Sequence, residues 1–315
     1  MKTIIIVITL LGLWGQSLAQ DLTRNLFPEI AMITWRGETR AEVGFMDGLK
    51  GYGYHPRFIA CPCGQDLGRL DQIMDTLEKK LPDLIYVFGT TATKTVVSRI
   101  KTCPVIFNIV TRPVESGIIA NWDSSGNNAT GISSLVPLHH QILALEKVAP
   151  FSRLGVIYNP LEQNSVIQTR ILGLLARSQG FELVEYKISA EDEVNPVLAR
   201  LGEGVDAVYL PSDSMVKSLG KQIMAQVNAR HLPSLAALEE MVIHDGALIG
   251  LVPDYYQLGR MAAQKAGMVL AGQHPSSIPS ATSDHFNITV NLNTAKQIQI
   301  QIPTSVLVMA DKIIR

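Results

Sequence analysis

The sequence predicts an α/β protein built as two similar halves around one crevice. Three observations carry this. Short apolar runs suited to strands covered on both faces recur along the chain, helical segments fill the intervals, and a turn-rich stretch divides the series in the middle. The runs are Ile30 to Thr34, His55 to Ala60, Leu84 to Phe88 and Val105 to Val110, then Leu154 to Tyr158, Leu183 to Ile188, Ala207 to Leu210 and Ala247 to Val252.

Ahead of the first strand, Met1-Lys2 supplies a positive charge, Thr3 to Trp14 is almost wholly apolar, and Ser17-Leu18-Ala19 offers small residues before a cut. This predicts a secretory signal peptide over residues 1–19, too short to span a membrane, and a mature chain beginning near Gln20. No Cys stands at the cut, so no lipid anchor is expected there. The helices are bounded by recognisable stops: Arg40 to Lys50 before Gly51, Asp71 to Lys80 before Pro82, and Ser165 to Ser178 before Gly180. Between the fourth and fifth strands, Asn121 to Gly131 is rich in turn formers and marks the break between the halves. The halves share a plan but no residue-level repeat, and two such lobes around one crevice make a hinge-and-cleft design. Near the end, Asp254 to Ala271 has helical spacing closed by Gly272, and Ile288 to Val290 suits a late strand. The tail from Thr294, interrupted at Pro303, suits two short helices on the second lobe.

Composition narrows the function. Lys and Arg number 27 against 28 Asp and Glu, and they are spread along the chain, so there is no basic field to hold nucleic acid. Nearly 300 residues beyond the leader exceed one ordinary core, which supports two domains. Three cysteines do not make a disulfide scaffold: Cys61-Pro62-Cys63 is too close for an easy bridge, Cys103 begins a different strand, and at least one thiol is left over. A metal or redox role for Cys61 and Cys63 lacks a second ligand pair.

The stretch from Gly155 to Ser165 is the most informative. A buried-strand run stops at Asn159-Pro160 and leads into a helix that Asn164 or Ser165 can cap. Amide groups at such a helix start, at the carboxyl end of a parallel strand, are where open α/β sheets hold small molecules. An ordinary capped loop is the alternative.

Several phrases in order carry a resemblance: Val110 to Gly117, Gly126 to Gly131, Tyr158 to Ser165 and Asp254 to Arg260, with Asn291 to Ala295 and Ile302-Pro303. From about Ala31 to Arg315 the chain resembles the ABC-transporter substrate-binding proteins of the tryptophan/tyrosine type. The resemblance implies a type I periplasmic binding protein fold, two Rossmann-like lobes with parallel sheets joined by a three-strand hinge. It places the N-terminal lobe at 26–132 and 254–284 and the C-terminal lobe at 133–253 and 285–315, with crossings near Gly131, Asp254 and His285. It implies an extracytoplasmic, periplasmic protein, and a monomer suits a carrier that must open and close. Its ligand would be small, an amino acid and often an aromatic one, and its partner an ABC permease in the inner membrane, with no cofactor and no metal.

Carried over by position, the resemblance lines the cleft with Trp35 and Arg36 after the first strand, Thr90, Thr91 and Thr93 after the third, and Thr111 and Arg112 after the fourth. The second lobe supplies Asn159, Glu162, Asn164, Ser165, Asp213, Ser214 and Glu239, and Asp254 and Tyr255 lie at the last crossing. Hydroxyls and helix-start amides at Gly89 to Thr93 suit a carboxylate, Asp213 or Glu239 suits an ammonium, and Trp35 suits a ring or a cation. Each has an alternative: Thr90 and Thr91 could simply cap a helix, Asp213 could cap the helix entering at Met215, and Trp35 could pack between lobes. Arg112 departs from the family, whose members usually carry an acidic residue there. Facing the cleft it would favour an anionic ligand; paired with Glu115 it would change nothing.

Two rivals remain in view. A secreted α/β hydrolase would need a device such as Gly-x-Ser-x-Gly or His-Glu-x-x-His, and neither occurs, so an enzyme is not expected. A ligand sensor that signals to a membrane receptor or kinase would share the fold, and residues alone do not separate it from a transport protein.

Overall fold

Fully apolar strands need cover on both faces, and this chain supplies it with helices between successive strands. The computed structural model describes residues 26–201 and 204–315; the expected signal peptide lies outside the described residues. Strands β1 (Glu29–Thr34), β2 (Arg57–Pro62), β3 (Leu84–Phe88), β4 (Val105–Val110), β5 (Ala129–Ser133) and β11 (Ala281–Thr282) form one sheet in the order β11-β5-β4-β3-β1-β2. Strands β6 (Arg153–Tyr158), β7 (Glu182–Lys187), β8 (Ala207–Leu210), β9 (Ser234–Ala236), β10 (Ile249–Pro253), β12 (Phe286–Asn291) and β13 (Lys312–Ile314) form the other, in the order β13-β12-β10-β9-β8-β6-β7. Pairing is parallel from β2 through β1 and β3 to β4, and from β7 through β6, β8 and β9 to β10. β12 runs antiparallel to β10.

In chain order the helices are α1 (Arg40–Gly51), α2 (Leu67–Lys79), α3 (Thr90–Arg99), α4 (Leu138–Val148), α5 (Gln163–Gln179), α6 (Val194–Leu198), α7 (Ser214–Ser218), α8 (Gly220–Ala229), α9 (Tyr255–Leu270), α10 (Leu292–Gln297) and α11 (Thr304–Met309). Three of the long helices have a local start or stop that the sequence supplies. Thr39 caps α1 and exchanges hydrogen bonds with Glu42 three residues on, closing a capping box. Asp66 caps α2 through Gly68 N and Arg69 N, and α5 ends on Gly180 in the left-handed region. α1 and α9 lie so close that a Cβ on Gly44 would stand 2.1 Å from Tyr256 O, and one on Gly259 2.1 Å from Ala41 O.

The chain divides into two compact units. Unit one holds the described residues up to Val110, Gly117–Ile132 and Tyr255–Ala281; unit two holds Thr111–Ser116, Ser133–Asp254 and Thr282–Arg315. Residues 111–116, Asp254 and 282–284, expected with the first lobe, thus group with the second. Hydrogen bonds account for this: Ser133 Oγ donates to Thr111 O, and Thr282 Oγ1 contacts Ser133 O and Leu135 O.

Other differences from the sequence expectation have equally local reasons. The second strand starts two residues later and runs through Cys61 to Pro62, so Cys61 lies in the strand rather than in a following loop. β2 is the sheet edge, where proline removes no ladder bond. The turn-rich stretch after Asn121 ends in a wholly buried strand, β5. Its asparagines tie it in: Asn127 bonds Ile118 O and Ala129 N, and Asn128 bonds Ile100 O and Cys103 O. Gly131 is required because a Cβ there would fall 2.0 Å from Phe107 O. The tail forms the two expected short helices and adds β13, which pairs with β12. All three cysteines are buried and unbridged. No helix among the described residues is long and apolar enough to cross a membrane.

Candidate functional site

Both sheets share one winding order, with the second strand at the edge, then the first, third, fourth and fifth. In such a sheet the crossovers leave the first strand in opposite directions, opening a crevice at the carboxyl ends of the first and third strands. In unit one that place follows β1 and β3; in unit two it follows β6 and β8.

After β1 come Trp35, 8% exposed, and Arg36. The Arg36 guanidinium stands 5.3 Å from the Phe88 ring centre and 5.9 Å from that of Tyr255, and its Nη2 donates to the Tyr255 hydroxyl at 3.1 Å. Phe88 and Tyr255 meet edge to face at 6.3 Å. A guanidinium held by two aromatic faces and a hydroxyl has little rotational freedom left, which preorganises it for a carboxylate. After β3, Gly89 caps α3 with no side chain. Thr90 is buried and Thr91 half-buried, whereas the fully buried Thr93 donates its hydroxyl to Gly89 O at 2.7 Å and is occupied within its own helix.

Beneath this edge lies a network that sequence reasoning missed. Tyr86 O–H donates to Glu42 Oε1 at 2.7 Å and accepts from Asn108 Nδ2 at 3.1 Å. Burial pushes the Glu42 carboxyl up, against the bonds it accepts from Tyr86 and Thr39. Asn108 Oδ1 also accepts from Ile109 N, and Ile109 has φ +55°. A β-branched residue there is strained, and the strain sits one residue before the end of β4.

In unit two the carboxyl ends of β6 and β8 bring six expected residues together. Asp213 caps α7 by accepting from Val216 N at 2.9 Å, and also accepts from Asn159 N at 2.8 Å and Ser165 Oγ at 2.6 Å. Glu162 accepts from Ser214 N at 2.8 Å, Ser214 Oγ at 3.0 Å and Asn164 Nδ2 at 3.2 Å, while Asn164 also bonds Ser212 O. Both carboxyls are buried. Burial and then the nearby Asp213 charge push Glu162 up to about 7, and burial raises Asp213 against the donors around it. At neutral pH the pair therefore holds its charge mainly on Asp213 and a partial proton on Glu162.

The remaining expected residues are more scattered in role. Thr111 is buried and its carbonyl is taken by Ser133. Arg112 Nη1 pairs with Glu115 at 2.9 Å, yet its Nε is buried with no partner. Glu239 accepts from Thr289 at 3.2 Å and pairs with Lys312 at 3.4 Å. Asp254 is half-buried at the end of unit two and directly precedes Tyr255. Among the described residues no group of three or more His, Cys, Asp or Glu is placed to hold a metal ion. An apolar cavity elsewhere in unit two, lined by Leu143, Ala144, Ile249, Leu251, Ile288 and Val306 among others, contains none of these residues.

Phe88 was the legible omission, a strand-final aromatic immediately before Gly89. Glu42, Tyr86 and Asn108 carried no such signal, because in sequence each is one polar group within an element.

The chain is similar to several known proteins. A tyrosine-binding protein of Clostridioides difficile is 30% identical over 267 residues, 83% of this chain and 77% of the relative. The crystal structure of a conserved domain protein from Vibrio cholerae matches with a TM-score of 0.86 at 27% identity, covering 90% of this chain and 99% of that one. A Streptococcus pneumoniae ABC domain in complex with L-Trp has the same fold, with a TM-score of 0.84 at 23% identity over 90% of this chain and 100% of that one. The family model described as ABC transporter substrate binding protein matches residues 30–314. With nearly all of its described length inside that match, the chain belongs to the ABC transporter substrate-binding protein family.

Proposed function

We propose that this protein is the extracytoplasmic binding component of an ABC uptake system, that it captures an amino acid, with aromatic ones the leading class, and that its two lobes close about the hinge to present the loaded form to a membrane permease. The observation that carries this is the Arg36 clamp at the carboxyl edge of unit one. A fixed guanidinium beside the open start of α3 suits an α-carboxylate, and Trp35, Phe88 and Tyr255 offer ring surface nearby. The buried Glu162 and Asp213 pair in unit two supplies negative charge for an ammonium. The tyrosine-binding relative supports an amino-acid cargo. Ligand binding does mechanical work here rather than covalent chemistry, because a ligand with higher affinity for the closed form shifts the population toward it.

The test is a thermal-shift screen of the purified protein against the twenty amino acids, small sugars and purines, with calorimetry on each hit. Ligand at a hundredfold excess over Kd stabilises by about 2.7 kcal/mol, an easily visible shift. A saturable aromatic amino-acid hit that Arg36→Ala weakens supports the reading. A sugar or purine hit with no amino-acid response refutes it.

A further inference from the structure

Residues 111–116 and 133–134, two neighbouring segments of unit two, carry three buried polar side-chain atoms with no protein partner, Arg112 Nε, Ser116 Oγ and Ser134 Oγ. Arg112 and Ser116 stand one turn apart, with Ser116 N donating to Arg112 O at 3.0 Å. The bond from Ser133 Oγ to Thr111 O at 2.9 Å draws the neighbouring segment alongside, and with it Ser134. Ser116 is 2% exposed and Ser134 8%, and the Arg112 side chain is 14% exposed. Neither hydroxyl has a hydrogen-bond partner, and Arg112 Nε has none. Glu115, the one acid paired with Arg112, is exposed enough for water to screen it. Inward, the charge of Arg112 reaches the Tyr209 hydroxyl, which burial pushes up and the guanidinium partly brings back. Tyr209 donates to Gln141 Oε1 at 2.8 Å and lies 3.3 Å from Gln168 Oε1, so it offers Arg112 no carboxylate.

Buried donors are nearly always satisfied, and a guanidinium can only donate. Serine hydroxyls can turn their hydrogens to the same side as a guanidinium, and a guanidinium with hydroxyl donors suits a group that only accepts, namely a carboxylate or another oxyanion. We infer that Arg112, Ser116 and Ser134 form a subsite for an anionic group of the ligand, and that the preferred cargo is an amino acid with a second acidic group besides its α-carboxylate. This rests on the amino-acid reading above and narrows its ligand class.

Calorimetry on the purified full chain with two matched pairs tests it: 4-carboxy-L-phenylalanine against L-phenylalanine, and L-glutamate against L-glutamine. The acidic member of at least one pair binds tenfold or more tightly than its neutral partner. Arg112→Gln collapses that ratio toward one, and Arg112→Lys restores part of it. Ser116→Ala and Ser134→Ala each lower affinity for the acidic ligand severalfold while leaving the unliganded melting temperature undiminished, because the hydroxyl removed has no protein partner. Neutral members binding as tightly as acidic ones in the native protein overturn the subsite and leave the amino-acid reading standing. Serine variants that lose melting temperature but not affinity also overturn it, since the hydroxyls would then be bridged by structural water. No binding by any amino acid removes both readings together.

Discussion

Substituting Glu162 by Gln isolates the energetic consequence of burying two carboxyls at one strand end. Glu162 is moved from its ordinary 4.5 up to about 7. Each unit of difference between folded and unfolded chains is worth about 1.4 kcal/mol, so the full effect is about 3 kcal/mol. Between pH 4.5 and 7 the folded protein keeps a proton on Glu162 that the unfolded chain has released. Folding is therefore favoured at the acid end of this window, and the contribution is lost as pH rises through it. Gln resembles the protonated carboxyl in shape and can still accept from Ser214 N, whereas it cannot titrate. Urea unfolding of both proteins at half-unit steps from pH 4.5 to 8 gives a difference curve from which groups that do not interact with Glu162 cancel. The native protein loses up to about 3 kcal/mol relative to the variant across that range. A flat curve, or one rising with pH for the native protein, would show that Glu162 is ionised normally and that the buried-pair argument is wrong.

Three further outcomes follow from the geometry. Tyr255→Phe removes the hydroxyl that accepts from Arg36, and a hydrogen bond to a charged group is worth about 1.5 to 3 kcal/mol; amino-acid affinity measured by calorimetry falls about tenfold or more, and an unchanged affinity counts against the clamp. Gly259→Ala drives a Cβ to 2.1 Å from Ala41 O where α9 meets α1, so guanidinium unfolding shows a loss of about 2 kcal/mol or more, whereas a neutral result would mean the helices separate at little cost. Burial pushes Cys63 up to about 11 and Cys103 up to about 12, and raises Cys61 as well, so a disulfide reagent at pH 8 titrates the thiols slowly in native protein and all three at once in denaturant.

By itself the sequence determined the α/β class, most of the buried parallel strands and the places where ligand-holding loops emerge. These are local properties: runs such as Leu84 to Phe88 are apolar throughout because both faces are covered, and Asn159-Pro160 ends a strand wherever it is placed. The ordered phrases at Val110, Tyr158 and Asp254 pointed to the family. The tertiary structure decided what those polar residues do. Asp213 and Ser214 follow Glu162 by some fifty positions, and only the pairing of β6 with β8 brings the two carboxyls close enough for the Asp213 charge to raise Glu162 and lets the loops share hydrogen bonds. β5 was illegible because the asparagines just before it that tie it in, and the close approach of Gly131 to Phe107, leave no periodic pattern. The same holds for Arg112: its salt bridge to Glu115 is local and foreseeable, but the buried Nε and the partnerless hydroxyls of Ser116 and Ser134 exist only once two distant segments lie side by side. Periodicity records which face a residue turns to the core, while hydrogen-bond complementarity depends on what the rest of the chain brings to meet it.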